Sequence, residues 1–318
     1  MGYTLCVLGC GTMGIAILSG VLSSLEDLNS QQHGIKRYPN STSGNSTPAS
    51  SYMPGMSEDC FPSRFLACVS RRESAQKLQR LFAKNFGERG ERIEFFAGEN
   101  LRAVRESDVV LLCCKPQLVE SILCAEGMKD ALQNRLLISI LAGVTINQFT
   151  KWLHPSTKVI RAMPNTPSKI REGMTVVSPL PEGCEREREI ILGIFSSIGL
   201  CRFLAEKHFD ACTALCGSGP AFVCVALEAL ADGGVMMGLP RAEALELAAQ
   251  TLQGTARMVL QTGVHPAAIK DSVTTPGGCT IAGLLSLEDG RIRSTIARAI
   301  QVATEKAHDL GQPQKAEA

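Results

Sequence analysis

No long block of basic residues interrupts this 318-residue chain, in which 32 Lys and Arg stand against 31 Asp and Glu for a formal charge of +1. Nothing in that balance points to nucleic acid or an anionic membrane surface as the main partner. No stretch holds 18 consecutive apolar residues, which argues against a membrane span. There is no CxxC pair and no HExxH, and His33, His154, His208, His265 and His308 lie far apart, so no zinc site is expected. The apolar N-terminus lacks the basic flank of a signal peptide, and Cys6 stands where a myristoylation signal wants Ser or Thr. The thirteen cysteines do not read as a disulfide framework. Cys6, Cys113, Cys114, Cys212 and Cys224 sit inside apolar runs, as buried free thiols in a reducing, cytoplasmic compartment would.

The length suits two domains, and 45% hydrophobic with 20% charged residues suits an ordinary globular protein. Residues 3–8 read as a buried parallel strand running into Gly9-Cys10-Gly11-Thr12-Met13-Gly14 and a helix through about Leu25. Strand, GxGxxG and helix in that order form a dinucleotide-binding fingerprint: Gly9 permits a tight turn, Gly11 lets a pyrophosphate approach the backbone, and Gly14 lets helix and strand pack closely. A lone GxGxxG also occurs in plain turns; its place after a strand gives it weight.

Residues 29–62 interrupt this unit, and 21 of the 34 are Ser, Thr, Asn, Gln, Pro or Gly. Such a segment buries too little apolar surface to offset its ordering entropy, and a flexible surface insertion is expected. The next strand, 65–69, ends in Ser70-Arg71-Arg72. An NAD site would put a carboxylate there for the ribose 2′-hydroxyl, whereas two guanidiniums and a hydroxyl favour a 2′-phosphate and hence NADPH. The blander account is a solvated Arg pair opening a helix. Further strands end at Lys115-Pro116, at Ala142-Gly143-Val144 and at Pro164-Asn165-Thr166-Pro167, on the side of an open α/β sheet where ligands lie. Eight strands in all are expected.

After about Glu206 the pattern turns helical almost throughout, with Pro220, Pro240 and Pro266 opening helices. Apolar residues cover much of the circumference of 219–237. A small domain supplies few partners for so wide a surface, which implies dimerisation or, alternatively, an interdomain core. Within 270–288, hydroxyls at Ser272, Thr274 and Thr275 precede Pro276-Gly277-Gly278 and then apolar residues at helical spacing. A helix N-terminus after such a turn can hold a carboxylate or phosphate, though an ordinary capped turn has the same composition. The fold class expected is α/β: a Rossmann-type doubly wound sheet over 1–206, then an all-α domain over 207–318.

Seven segments in this order, GCGTMG, KPQ, AGV, RAMPNTP, ALCGSGPAF, ADGGVMMGLPR and KDSVTTPGGCTIAGL, resemble pyrroline-5-carboxylate reductase. The resemblance covers nearly the whole chain except 29–62. It implies NADPH-dependent reduction (NADH being a possible substitute) of the C=N bond of Δ1-pyrroline-5-carboxylate to L-proline by a homodimer or higher homo-oligomer joined through the helical domain. By the same resemblance Gly9, Gly11, Thr12, Met13 and Gly14 bind the pyrophosphate, and Ser70, Arg71 and Arg72 the 2′-phosphate. Asn100, Lys115, Pro116, Ala142, Gly143 and Asn165 line the adenosine or nicotinamide side. Val273, Thr274, Thr275, Gly278, Cys279 and Thr280 form the substrate loop, with Thr280 reaching toward the ring nitrogen. Cys216 and Cys279 depart from the smaller residues usual in the pattern. A β-hydroxyacid dehydrogenase would need a catalytic Lys on a Gly-rich helix, which the helical half lacks. A non-catalytic NADPH-sensing scaffold would have no use for the intact 273–280 loop.

Overall fold

A computed structural model describes residues 2–32 and 58–310. Of the expected 29–62 insertion, residues 33–57 lie outside the described residues, while its far end is ordered, with Cys60 and Phe61 buried in the core and a strand starting at Pro62. By contacts the described chain divides into two compact units, one ending at Gly217 and rejoined from Thr304, the other Ser218–Ala303.

The first unit is an alternation of strands and helices: β1 (Tyr3–Leu8), α1 (Thr12–Gln32), β2 (Pro62–Val69), α2 (Arg72–Glu91), β3 (Glu94–Ala97), α3 (Asn100–Arg105) and β4 (Val109–Leu112). Short helices α4 (Val119–Leu123) and α5 (Met128–Ala131) precede β5 (Leu136–Ser139), α6 (Ile146–Trp152), β6 (Lys158–Met163), β7 (Gly173–Val177), α7 (Glu185–Ser196), β8 (Gly199–Phe203) and α8 (Phe209–Cys212). The eight strands form one sheet in the order β3-β2-β1-β4-β5-β6-β7-β8. Every neighbouring pair is parallel except β6 and β7. The chain reverses direction across the sheet between β1 and β4, which opens the crevice where a doubly wound fold takes its ligand.

Both faces of the sheet are covered, and this is why its central strands are apolar without alternation. Leu5 and Val7 of β1 enter the core under α1, α2 and α7, while Cys6 and Leu8 enter the core under α3 to α6. Helix α1 continues past Leu25, the expected end, to Gln32, because Leu25 and Leu28 still pack on the first of these cores. Helix α6 was not foreseen. Thr145 and Gln148 close it with a capping box, in which Thr145 Oγ1 accepts from Gln148 N and Gln148 Oε1 accepts from Thr145 N.

By contacts the first unit runs on to Gly217, since Phe209 is buried with Met163 and Val176 and thereby ties the start of the helical half to the sheet. His308 near the C-terminal end of the described chain also reaches Asp210, at 3.1 Å.

The second unit consists of α9 (Gly219–Met236), α10 (Arg241–Thr262), α11 (Pro266–Ser272), α12 (Cys279–Asp289) and the greater part of α13 (Ile292–Leu310). Helices α9 and α10 pack together, and Gly234 allows the close approach: a Cβ there would lie 3.3 Å from the Cβ of Ala244. In this unit Ala231, Ala244 and Ile269 are buried, whereas Val223, Val225, Leu230, Met236, Leu247 and Leu260 are exposed. A helical unit with so few buried side chains leaves an apolar surface that a monomer seldom exposes. Among the described residues one helical stretch, Glu206–Met236, is long and apolar enough to cross a membrane by length and composition alone, although no run of 18 consecutive apolar residues occurs in it.

Candidate functional site

The turn after β1 places its three glycines in three different environments. Gly9 has φ +86°, and a Cβ there would meet the Cys114 backbone at 2.8 Å. The amides of Gly9 and Cys10 both donate to the carbonyl of Cys68, which seats the turn against β2. A Cβ on Gly14 would reach Val7 Cγ1 at 3.0 Å, so helix and strand meet there. Gly11 is different: a Cβ would find nothing nearer than the Gly9 carbonyl at 4.0 Å. Its open side faces a cavity of about 700 Å³.

Gly9, Gly11, Ser70, Asn100 and Lys115, five of the residues expected at a cofactor, line this one cavity. Lys115 is the one charged residue in the lining among the described residues, and no carboxylate enters it. An electropositive helix N-terminus, a lysine and hydroxyls, including those of Ser74 and Ser121, form a donor set suited to the anionic backbone of a dinucleotide. The open face at Gly11 leaves room for a pyrophosphate against the main chain, so the residues fit the group.

Thiols form part of the cavity wall. Burial, with the Cys68 thiol adding, pushes Cys10 up to about 12, and burial pushes Cys114 up to about 11. Cys113 is also raised by burial. These groups therefore stay neutral near pH 7 and place no anion beside the donors.

The remaining expected residues are not part of this lining. Thr12 opens α1, and the Met13 side chain packs on the core. Arg71 and Arg72 follow Ser70 at the start of α2, are exposed, and make no ion pair or side-chain hydrogen bond among the described residues. Pro116 begins a short 3-10 turn after β4. Ala142 packs on the Met163, Val176 and Phe209 cluster, and Gly143 adopts φ +78°. Asn165 serves the fold directly, since its Oδ1 accepts from the Met174 amide at 2.9 Å and fixes the turn between β6 and β7.

One pair near these residues was missed by sequence reasoning. Arg161, only 4% exposed, donates through Nη1 to Glu206 Oε1 at 2.8 Å, and its guanidinium lies 4.7 Å from the Phe209 ring centre. The same carboxylate oxygen accepts from the Ile146 amide at 2.9 Å. An Arg inside an otherwise apolar strand was a visible signal that a partner exists. Nothing in the local pattern identified Glu206 as that partner.

In the second unit Val273, Thr274, Thr275, Gly278, Cys279 and Thr280 stand together where the chain enters α12. Gly278 N donates to Thr275 O at 3.1 Å and Gly277 has φ +68°, the pattern of a tight turn with glycine in its left-handed position. A Cβ on Gly278 would strike Thr275 Oγ1 at 2.5 Å. The hydroxyls of Ser272 and Thr274 are not free donors, since they donate backward to Ile269 O and Lys270 O. What the loop does offer is the start of α12. Gly278 gives no side-chain cap, so the first amides of the helix, from Cys279, Thr280 and Ile281, lack an intrahelical acceptor. Thr280 is half-buried beside them.

Residues 206–310 match the family described as pyrroline-5-carboxylate reductase dimerisation, and residues 54–143 match the one described as NADP oxidoreductase, coenzyme F420-dependent. The chain is 47% identical to a pyrroline-5-carboxylate reductase of Schizosaccharomyces pombe, over 96% of this chain and 98% of that protein. It is 46% identical to one of Lophium arboricola, over 97% and 93%. Among solved structures, the pyrroline-5-carboxylate reductase of Coxiella burnetii superposes with a TM-score of 0.76 at 26% identity, covering 98% of this chain and 100% of that one. The Plasmodium falciparum pyrroline carboxylate reductase with NADP bound superposes with a TM-score of 0.73 at 25% identity, covering 98% of each chain. The chain belongs to the pyrroline-5-carboxylate reductase family.

Proposed function

We infer that this protein is an NADPH-dependent reductase of the C=N bond of Δ1-pyrroline-5-carboxylate, forming L-proline in the last step of proline biosynthesis. The observation that carries the reading is the cavity at Gly11, built of donors without a carboxylate, in a chain of this family.

Gly9, Gly11, Thr12, Met13 and Gly14 hold the pyrophosphate, with Met13 contributing through its backbone because its side chain packs inward. Arg71 and Arg72 beside Ser70, exposed and without an ion pair among the described residues, take the 2′-phosphate, for which two planar guanidiniums are suited. Asn100, Lys115, Pro116, Ala142, Gly143 and Asn165 line the adenosine and nicotinamide ends. The uncapped start of α12 receives the substrate carboxylate, and the Thr280 hydroxyl orients the ring nitrogen.

NADPH supplies the hydride. A protonated imine is already electrophilic, so the protein has to hold its ring carbon at a near-attack distance of about 3–3.5 Å and keep it oriented. Neither a nucleophile nor a metal is needed for that step. Among the described residues no cluster of three His, Cys, Asp or Glu has the geometry to hold a metal ion.

The exposed apolar surface of the second unit supports a homodimer joined there, a reading in which the Glu206–Met236 stretch is covered by a second copy rather than by lipid. Light scattering reading the mass of one chain would contradict it. A cytoplasmic location is the accompanying proposal, supported by thirteen free cysteines, and cell fractionation tests it. For the activity itself the test is NADPH oxidation on addition of Δ1-pyrroline-5-carboxylate; no turnover by the folded protein would sink the reading.

A further inference from the structure

We propose that Glu206, held by Arg161, is a positioning residue for the reduction: it pins the loop between β5 and α6 that carries Ala142 and Gly143. The proposal rests on the reading that this loop borders the nicotinamide end.

Past Ile140 and Leu141, whose amides donate to Leu112 O and Ser139 Oγ, two further attachments of the loop lead to one turn. At its start, Ala142 packs on the cluster that contains Phe209. At its end, Ile146 is the first residue of α6, and its amide has no acceptor inside the helix. The capping box on Thr145 serves the Gln148 amide and the Thr145 amide, and leaves that of Ile146. Glu206 Oε1 accepts it at 2.9 Å from a turn that runs directly into Phe209. Arg161 orients this carboxylate with a 2.8 Å bond, while its own plane is fixed against Phe209 and its backbone amide donates to Ser178 Oγ at 3.0 Å.

Stability alone is a poor reason for such a pair. Burying the Arg161 guanidinium costs desolvation, while Glu206 keeps 35% of its side chain exposed, so solvent screens the carboxylate and the attraction offsets that cost only in part. An oriented carboxylate shared by two donors supplies geometry instead. Geometry is what the reaction requires, because a displacement of about 1 Å at the reacting centre can lower turnover roughly 10²-fold.

The test compares Glu206→Ala with Glu206→Gln, which keeps an acceptor for Ile146. A double change, Glu206→Ala with Arg161→Met, removes the orphaned buried cation and carries the same comparison if the single variant does not fold. Four quantities are read: amide hydrogen exchange over 142–148, NADPH dissociation constant, kcat, and the primary isotope effect with NADPH deuterated at the transferred position. In Glu206→Ala the Ile146 amide exchanges at least about tenfold faster, NADPH affinity stays within about threefold, kcat falls roughly 10- to 100-fold and the isotope effect grows, as expected when an interaction felt mainly in the transition state is lost. Glu206→Gln restores most of kcat and the slow exchange. Unchanged exchange at Ile146, or a loss of turnover proportional to unfolded protein with an unchanged isotope effect, would overturn the proposal. Failure of the broader activity reading looks different, as wild-type protein would then bind NADPH without oxidising it on addition of the imine.

Discussion

Gly9 and Gly11 stand two residues apart in one turn, yet only Gly11 has room for a side chain. A Cβ on Gly9 meets the Cys114 backbone at 2.8 Å, whereas one on Gly11, which lines the cavity, has its nearest neighbour at 4.0 Å. The two positions should therefore fail in different ways when changed to Ala. Gly11→Ala leaves unfolding stability within about 0.5 kcal/mol, as for an unobstructed surface site, and weakens NADPH binding by obstructing the pyrophosphate. Gly9→Ala loses stability by about 1–3 kcal/mol or more, from left-handed strain and the clash. Denaturation curves with and without NADPH check both. Equal destabilisation of the two variants would contradict the assignment of Gly11 to the ligand.

Arg71 is exposed and without an ion partner among the described residues, and it directly follows the cavity residue Ser70. Hydrogen bonds to a charged group are worth about 1.5–3 kcal/mol, so Arg71→Asp should lower the NADPH to NADH ratio of kcat/KM by about 10- to 100-fold. Kinetics with both cofactors read this directly, and a ratio that does not move removes Arg71 from the 2′-phosphate.

The half-buried Thr280 follows directly on the first residue of an uncapped helix. Thr280→Ala is expected to lower kcat by about tenfold with NADPH affinity near normal, and Thr280→Ser to recover most of the loss, since the hydroxyl is the group that matters. A parallel loss of NADPH affinity would take Thr280 off the substrate side.

Burial raises Cys10 to about 12 and Cys201 to about 12, from an ordinary value of 9.0. The folded state keeps both thiols neutral, so their contribution is fully present below the unfolded value and is lost as pH rises from about 9 toward 12. Each such thiol adds a slope of about 1.4 kcal/mol per pH unit in that window. Urea unfolding across this range should show a plateau below about pH 9 and a decline above it, made shallower by Cys10→Ala. Stability that rises through the same window would refute the assignment of these thiols as buried and neutral.

Much of this architecture was readable from local pattern. The strands are legible because both sheet faces are covered, as the opposite destinations of Val7 and Leu8 illustrate, so each strand appears as an apolar run. The tight turn at Gly9, the open backbone at Gly11 and the close helix–strand packing at Gly14 follow from their spacing. Less legible were features settled by distant partners. The Asn165 Oδ1 accepts from Met174, and the Ser272 and Thr274 hydroxyls turn back on their own helix, so residue type alone overstated the polar groups free for a ligand. Helix α1 outran its expected end because its later leucines find a core that local composition does not reveal. Arg161 announced a buried charge, but its partner Glu206 lies 45 residues away and becomes adjacent only through the fold.

The most direct measurement of the central claim follows the hydride. Incubation of the protein with Δ1-pyrroline-5-carboxylate and NADPH deuterated at the transferred position should yield L-proline carrying deuterium at C5, detected by NMR, with oxidised cofactor formed in equal amount. Cofactor oxidation without labelled proline, or labelled proline absent from a reaction with folded, NADPH-binding protein, would contradict the account.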